Sequence, residues 1–157
     1  MKDNAFATIS VYTITPQCQT EFRNAILERH NYYRALHDVS SMSNSATIGS
    51  VALNYAAELA RTDSFEHSTG NSYGENLASK SSSAQFNFNN MENCKNVGKE
   101  FAEMWYNEIK DYDYNNPGFS SATGHFTQVV WKASTSLGCG FAYYYDGVEW
   151  YNVVGVW

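Results

Sequence analysis

GHFTQVVWK, residues 124–132, sets strand-favouring Phe126, Val129, Val130 and Trp131 beside two residues that a buried strand does not want, His125 and Gln128. Read as a strand opened by Gly124, it places His125, Thr127, Val129 and Trp131 on one face and Phe126, Gln128 and Val130 on the other. Neither face is cleanly apolar. A buried imidazole costs free energy unless both ring nitrogens find partners, so the stretch calls for polar company from elsewhere in the chain.

The rest of the chain supplies three helical patterns and a hairpin. Thr20 is a plausible N-cap for a first helix carrying Phe22, Ile26, Arg29 or His30, Tyr33 and Leu36 at helical spacing. After the Ser-rich stretch VSSMSNSATIGS, a second helix puts Val51, Ala52, Tyr55, Ala56, Leu59 and Ala60 on one stripe. Residues 76–79 read as a short strand and residues 80–96, rich in Ser and Asn, as a flexible surface loop. The third helix, VGKEFAEMWYNEIKDY, aligns Val97, Phe101, Met104, Trp105 and, unexpectedly, Glu108. Two strand-like runs around Asp146-Gly147 close the sequence as a hairpin. Helices first and strands later predict an α+β fold with helices packed on an antiparallel sheet.

The length of 157 residues suits one domain. Residues 1–17 read as an extended arm of unassigned role and 18–157 as the domain itself. A net charge of −6, without a Lys/Arg cluster, argues against a nucleic-acid partner. No apolar run is long enough for a membrane span, and the first residues have neither the basic nor the apolar region of a signal peptide. Cys18, Cys94 and Cys139 lack metal-ligand spacing and allow one internal disulfide at most. Cys94 with Cys139 is the favoured pair, because Cys18 lies near a terminus; three reduced thiols are the alternative.

Glu108 on an apolar stripe needs a partner, and the candidates are His125 and the polar set His67, Glu75 and Asn76 in the 67–76 loop. Two imidazoles and two carboxylates in one cleft would satisfy one another and would suit a divalent cation, zinc above all. Spacing alone leaves open that each residue is separately paired or solvated.

Several motifs in order give the sequence a family resemblance. HNYYR at 30–34, His67-Ser68 followed by GENL at 74–77, and GHFTQVVW at 124–131 resemble the signatures of the CAP superfamily, which unites cysteine-rich secretory, antigen 5 and pathogenesis-related 1 proteins and is also known as the SCP domain. The run from Gly98 to Lys132 looks like the Golgi-associated plant pathogenesis-related subgroup, whereas GCG at 138–140 looks more like the secreted branches. The resemblance implies a three-layer α-β-α sandwich with a central, mainly antiparallel sheet. Carried over residue by residue, it implies a metal-binding quartet of His67, Glu75, Glu108 and His125, with Zn²⁺ or another divalent cation as cofactor. His30 and Arg34 match a structural motif, His37 reads as solvated, and Asn76 and Gln128 read as orienting residues. Two departures stand out: the family's C-terminal block is missing after Trp157, which suggests truncation, and the usual proline-containing turn after the first helix is absent.

The function so implied is a non-catalytic binding protein for a sterol or fatty-acid lipid, secreted for signalling or defence once a leader is removed, with a Golgi or other membrane-associated intracellular location as the alternative. Contact with a membrane surface, or with a protein receptor through the Tyr-rich hairpin at 141–151, would fit a monomer or weak dimer. The alternative function is a metal-dependent or Ser/His hydrolase using Ser79 or Ser81, neither of which sits in a G-x-S-x-G elbow.

Overall fold

A computed structural model describes residues 8–156. The chain runs β1 (Ser10–Tyr12), α1 (Pro16–Leu36), β2 (Ser43–Asn44), α2 (Ala46–Thr62), β3 (Asn76–Ser82), α3 (Met91–Tyr106), a 3-10 turn (Asn107–Asp111), α4 (Gly124–Val129), β4 (Ser136–Leu137), β5 (Cys139–Tyr145) and β6 (Trp150–Val156). Each long helix starts at a side-chain cap. Thr15 accepts from the Cys18 amide with Pro16 in the first turn, Ser45 accepts from Ile48, and Asn90 accepts from Glu92. These caps explain why the helices begin earlier than the apolar periodicity alone predicts.

The main sheet is antiparallel in the order β1-β5-β6-β3, and β2 and β4 form a small parallel pair. Alternation along β5 builds the layers. Cys139, Phe141 and Tyr143 join the core that α1 and α3 share, whereas Ala142 and Tyr144 join the cluster under α2. The result is the expected α-β-α sandwich. Gly140 lets α2 settle on the sheet, since a Cβ there would lie 2.5 Å from the Leu53 Cα. The Asp146-Gly147 hairpin forms as expected, with Asp146 Oδ1 accepting from the Val148 and Glu149 amides and Gly147 at a φ of 99°.

Several expectations are corrected. The disulfide joins Cys18 to Cys94 across α1 and α3, with Cα atoms 5.4 Å apart, and Cys139 is a buried free thiol. Cys18 lies near a terminus, but helix α1 already starts at Pro16 and fixes it. The stretch 80–96 is not a flexible loop: β3 continues to Ser82, α3 starts at Met91, and between them Phe88 is buried against Phe141 and Tyr143. The tyrosines of the 141–151 hairpin are largely core, with Tyr143 and Tyr144 both buried.

The stretch that opened the reading is a helix. Its strand-prone residues are overruled at both ends of α4: Glu108 Oε1 accepts from the His125 and Phe126 amides at 2.8 and 3.1 Å, and Arg34 Nη1 donates to the Val129 and Trp131 carbonyls at 3.0 and 2.8 Å. A carboxylate at a helix N-terminus and a guanidinium at its C-terminus satisfy the orphan backbone groups of so short a helix. Arg34 is fully buried, and its remaining nitrogens bond the Ser40 and Ser134 carbonyls, so it anchors the chain on both sides of the α1–β2 and α4–β4 connections.

Candidate functional site

Glu108 reaches α4 because α3 tightens into the 3-10 turn after Tyr106, which carries its carboxylate off the apolar stripe of α3. Oε2 of Glu108 lies 2.9 Å from His125 Nδ1 while Oε1 holds the two amides. The second pair forms in the loop between α2 and β3. Glu75 Oε1 lies 2.6 Å from His67 Nδ1, and its carboxylate also accepts from the Ser68 amide at 3.0 Å and the Ser68 hydroxyl at 2.5 Å. Glu75 is nearly buried, with a side chain 8% exposed, while that of His67 is 69% exposed; the carboxylate is therefore the fixed member and the imidazole the accessible one.

The four residues thus resolve into two His–Glu pairs. In both, the carboxylate engages Nδ1 and leaves Nε2 as the free nitrogen, the arrangement by which an acid orients an imidazole. Both imidazoles line one cleft of about 390 Å³, together with Glu75, Phe119, Gln128 and Trp131. Glu108 instead faces the neighbouring depression beside Asp111 and Lys110. Among the described residues no three His, Cys, Asp or Glu side chains converge as a metal cage. Asn76 Nδ2 donates to the His125 carbonyl at 3.1 Å and ties α4 to the start of β3.

Beside the cleft, on the other flank of α4, lies an apolar groove of about 520 Å³. Val39, Tyr112, Phe126, Val130 and Trp131 wall it, and Lys132 stands among its lining residues. Tyr112 packs edge-on to Phe126 at 5.2 Å between centroids and to Tyr114 at 4.9 Å. His37, expected to be solvated, is half-buried: its Nε2 lies 2.9 Å from the Tyr106 hydroxyl and its ring packs on Phe126. Trp131 is half-exposed and lines both groove and cleft. An apolar groove between helices, apart from the polar cleft, is expected for a lipid-binding member of the family, but its lining and the contacts of Ser68 are not legible in the sequence; the aromatic residues at 112, 114, 126 and 131 are the signal of that lining, visible only once α4 is helical.

The profile of the CAP family, the cysteine-rich secretory protein family, matches residues 27–157. The chain belongs to this family. Among CAP relatives, the human Golgi-associated plant pathogenesis-related protein 1 is 38% identical over 130 residues, covering 81% of this chain and 77% of that protein. Protein PRY2 of Saccharomyces cerevisiae is 41% identical over 121 residues, covering 76% of this chain, and salivary antigen-5 of Dipetalogaster maximus is 34% identical over 147 residues, covering 83%. The chain spans only 32% of PRY2 and 57% of the salivary protein. Its fold matches the crystal structure of MpPR-1i, with a TM-score of 0.64 at 16% identity over 92% of this chain and 89% of that one. Hookworm platelet inhibitor matches with a TM-score of 0.61 at 20% identity, over 92% of this chain and 73% of that one. The CAP relatives include one named as a secreted protein, one named as a salivary antigen and one named as Golgi-associated, and no helix among the described residues is long and apolar enough to cross a membrane.

Proposed function

We propose that this CAP domain is a non-catalytic binding protein that holds a sterol or a fatty-acid chain in the groove between α1, the 3-10 turn and α4. The observation that carries the reading is the groove itself: about 520 Å³ walled by Val39, Tyr112, Phe126, Val130 and Trp131, a volume and chemistry suited to a small apolar ligand. Lys132 at its edge would pair with a fatty-acid carboxylate. The secreted relatives support an extracellular setting for this activity.

Divalent-cation binding at the cleft is the second part of the proposal. His67 and His125 would supply Nε2, Glu75 and Glu108 would fix the tautomers, and water would complete the sphere of an ion that bridges or organises the cleft. A solved CAP neighbour, NaASP2, has been crystallised with Zn²⁺. The hydrolase reading finds no support in a nucleophile: among the described residues neither Ser79 nor Ser81 is hydrogen-bonded to a histidine, and both lie on β3 paired to β6.

Titration with a fluorescent fatty acid and a fluorescent sterol tests the division of labour. At least one should bind saturably, with affinity lowered about tenfold or more in Val130→Trp, which fills the groove, and unchanged in His67→Ala. Absence of saturable binding, or loss in His67→Ala with Val130→Trp unaffected, would sink the proposal.

A further inference from the structure

A third cavity, of about 280 Å³, lies beside the cleft and shares Asn76 and Gln128 with it. Its inner lining carries two polar side chains withdrawn from solvent, His30 and Asn76, each 2% exposed. His30 Nδ1 sits 2.9 Å from the Ile26 carbonyl oxygen. A carbonyl only accepts, so Nδ1 carries the proton and Nε2 is a bare acceptor. Burial holds the His30 pKa at about 4, so the ring is neutral at neutral pH.

Among the described residues nothing donates to His30 Nε2. Asn76 spends its Nδ2 on the His125 carbonyl, and its Oδ1 receives no donor. The Gln128 amide has no protein hydrogen bond either, although it lies so close to Gly74 that a Cβ there would sit 2.3 Å from Oε1. Buried acceptors left unmatched cost about 1–3 kcal/mol each, so this constellation is built to meet donors brought by something else.

The lining also limits what that something is. It contains no Asp, Glu, Lys or Arg, so it offers no counter-charge to an ion. Hydroxyls of Ser72, Ser134 and Thr135 fringe it, and Tyr73, 42% exposed, adds an aromatic face. Planar amides, a neutral imidazole acceptor, hydroxyls and an aromatic ring together match a ligand whose edges carry hydroxyl donors and whose face carries C–H groups. We propose that this cavity binds one uncharged sugar residue, with its hydroxyls donating to His30 Nε2 and Asn76 Oδ1, the Gln128 amide on its edge and Tyr73 on its face. Neither the lipid groove nor the cation cleft is needed for it.

The test is a nuclear magnetic resonance titration of isotope-labelled protein with glucose, mannose, N-acetylglucosamine and, as the charged comparison, glucuronate. A neutral sugar should shift the Gln128 side-chain amide and the Tyr73 resonances saturably, with glucuronate much weaker. Gln128→Ala and Tyr73→Ala, both changes of accessible side chains, should each raise the Kd about tenfold, while Val130→Trp in the groove should leave it unchanged. No saturable shift with any neutral sugar would mean that the cavity holds only water and would overturn the proposal. Equal binding of glucuronate, or a Kd indifferent to both substitutions, would overturn it as well.

Discussion

Breaking the Cys18–Cys94 bond should be the most damaging covalent change available to this fold. The bond closes a chain separation of 76 residues and ties the start of α1 to α3, whose packing forms the larger core. In the chain-entropy account, a loop of that length removes about 15 cal/mol/K from the unfolded state, or roughly 4.5 kcal/mol near room temperature. Both sulfurs are buried, so a Cys18→Ala/Cys94→Ala variant also loses their packing, on the order of 1 kcal/mol. Cys139 cannot compensate, because the variant leaves it no cysteine to pair with, and burial raises its thiol pKa far above the ordinary value. Urea unfolding followed by circular dichroism reads the effect: with a slope of about 2 kcal/mol/M, the combined loss of about 5.5 kcal/mol should lower the midpoint by about 2.7 M. A shift under about 0.5 M, or peptide mapping that finds Cys139 in the native bond, would refute the reasoning.

Three further outcomes follow from other parts of the fold. His30 is held at a pKa of about 4 in the folded protein against about 6.5 unfolded, so its contribution to stability is complete above the unfolded value and is lost as pH falls towards 4; stability should drop by about 3 kcal/mol over that window, and His30→Gln should flatten this component of the pH profile. Gly140→Ala should cost about 1–3 kcal/mol in chemical denaturation, because its methyl group meets the Leu53 backbone rather than a movable side-chain tip. Calorimetric titration with Zn²⁺ should give one saturable site in the unaltered chain that disappears in both His67→Ala and His125→Ala while their circular dichroism is unchanged; no heat of binding in the unaltered chain would remove the cation from the account.

The α+β class and the hairpin were legible in the residues, whereas the layer order and the full set of four His and Glu residues were legible only through the family resemblance. The hairpin was legible because Asp146-Gly147 carries its own turn chemistry, and Glu108 and His125 because each stood against its apolar neighbours, whereas His67 and Glu75 stood out through the HS and GENL motifs. Residues 124–129 were misread because period-two alternation and β-branched residues describe local preference, whereas α4 is fixed by Glu108 and Arg34, which lie far from it in the chain. The same local preference obscures the groove's lining, since a strand puts Phe126 and Trp131 on opposite faces and the helical turn brings both to one wall. Cysteine pairing was illegible for a related reason: position along the chain says little about which helices a tertiary fold brings together, and Cys18 and Cys94 meet only because α1 packs on α3.

The most direct measurement is a crystal structure of the protein saturated with a fatty acid brominated on its chain, using the anomalous signal to locate the bromine. A single strong peak is expected in the groove between Phe126 and Trp131, with the carboxylate directed to Lys132. A bromine peak in the His67–His125 cleft, or a groove left without one in protein shown to carry the lipid, would contradict it.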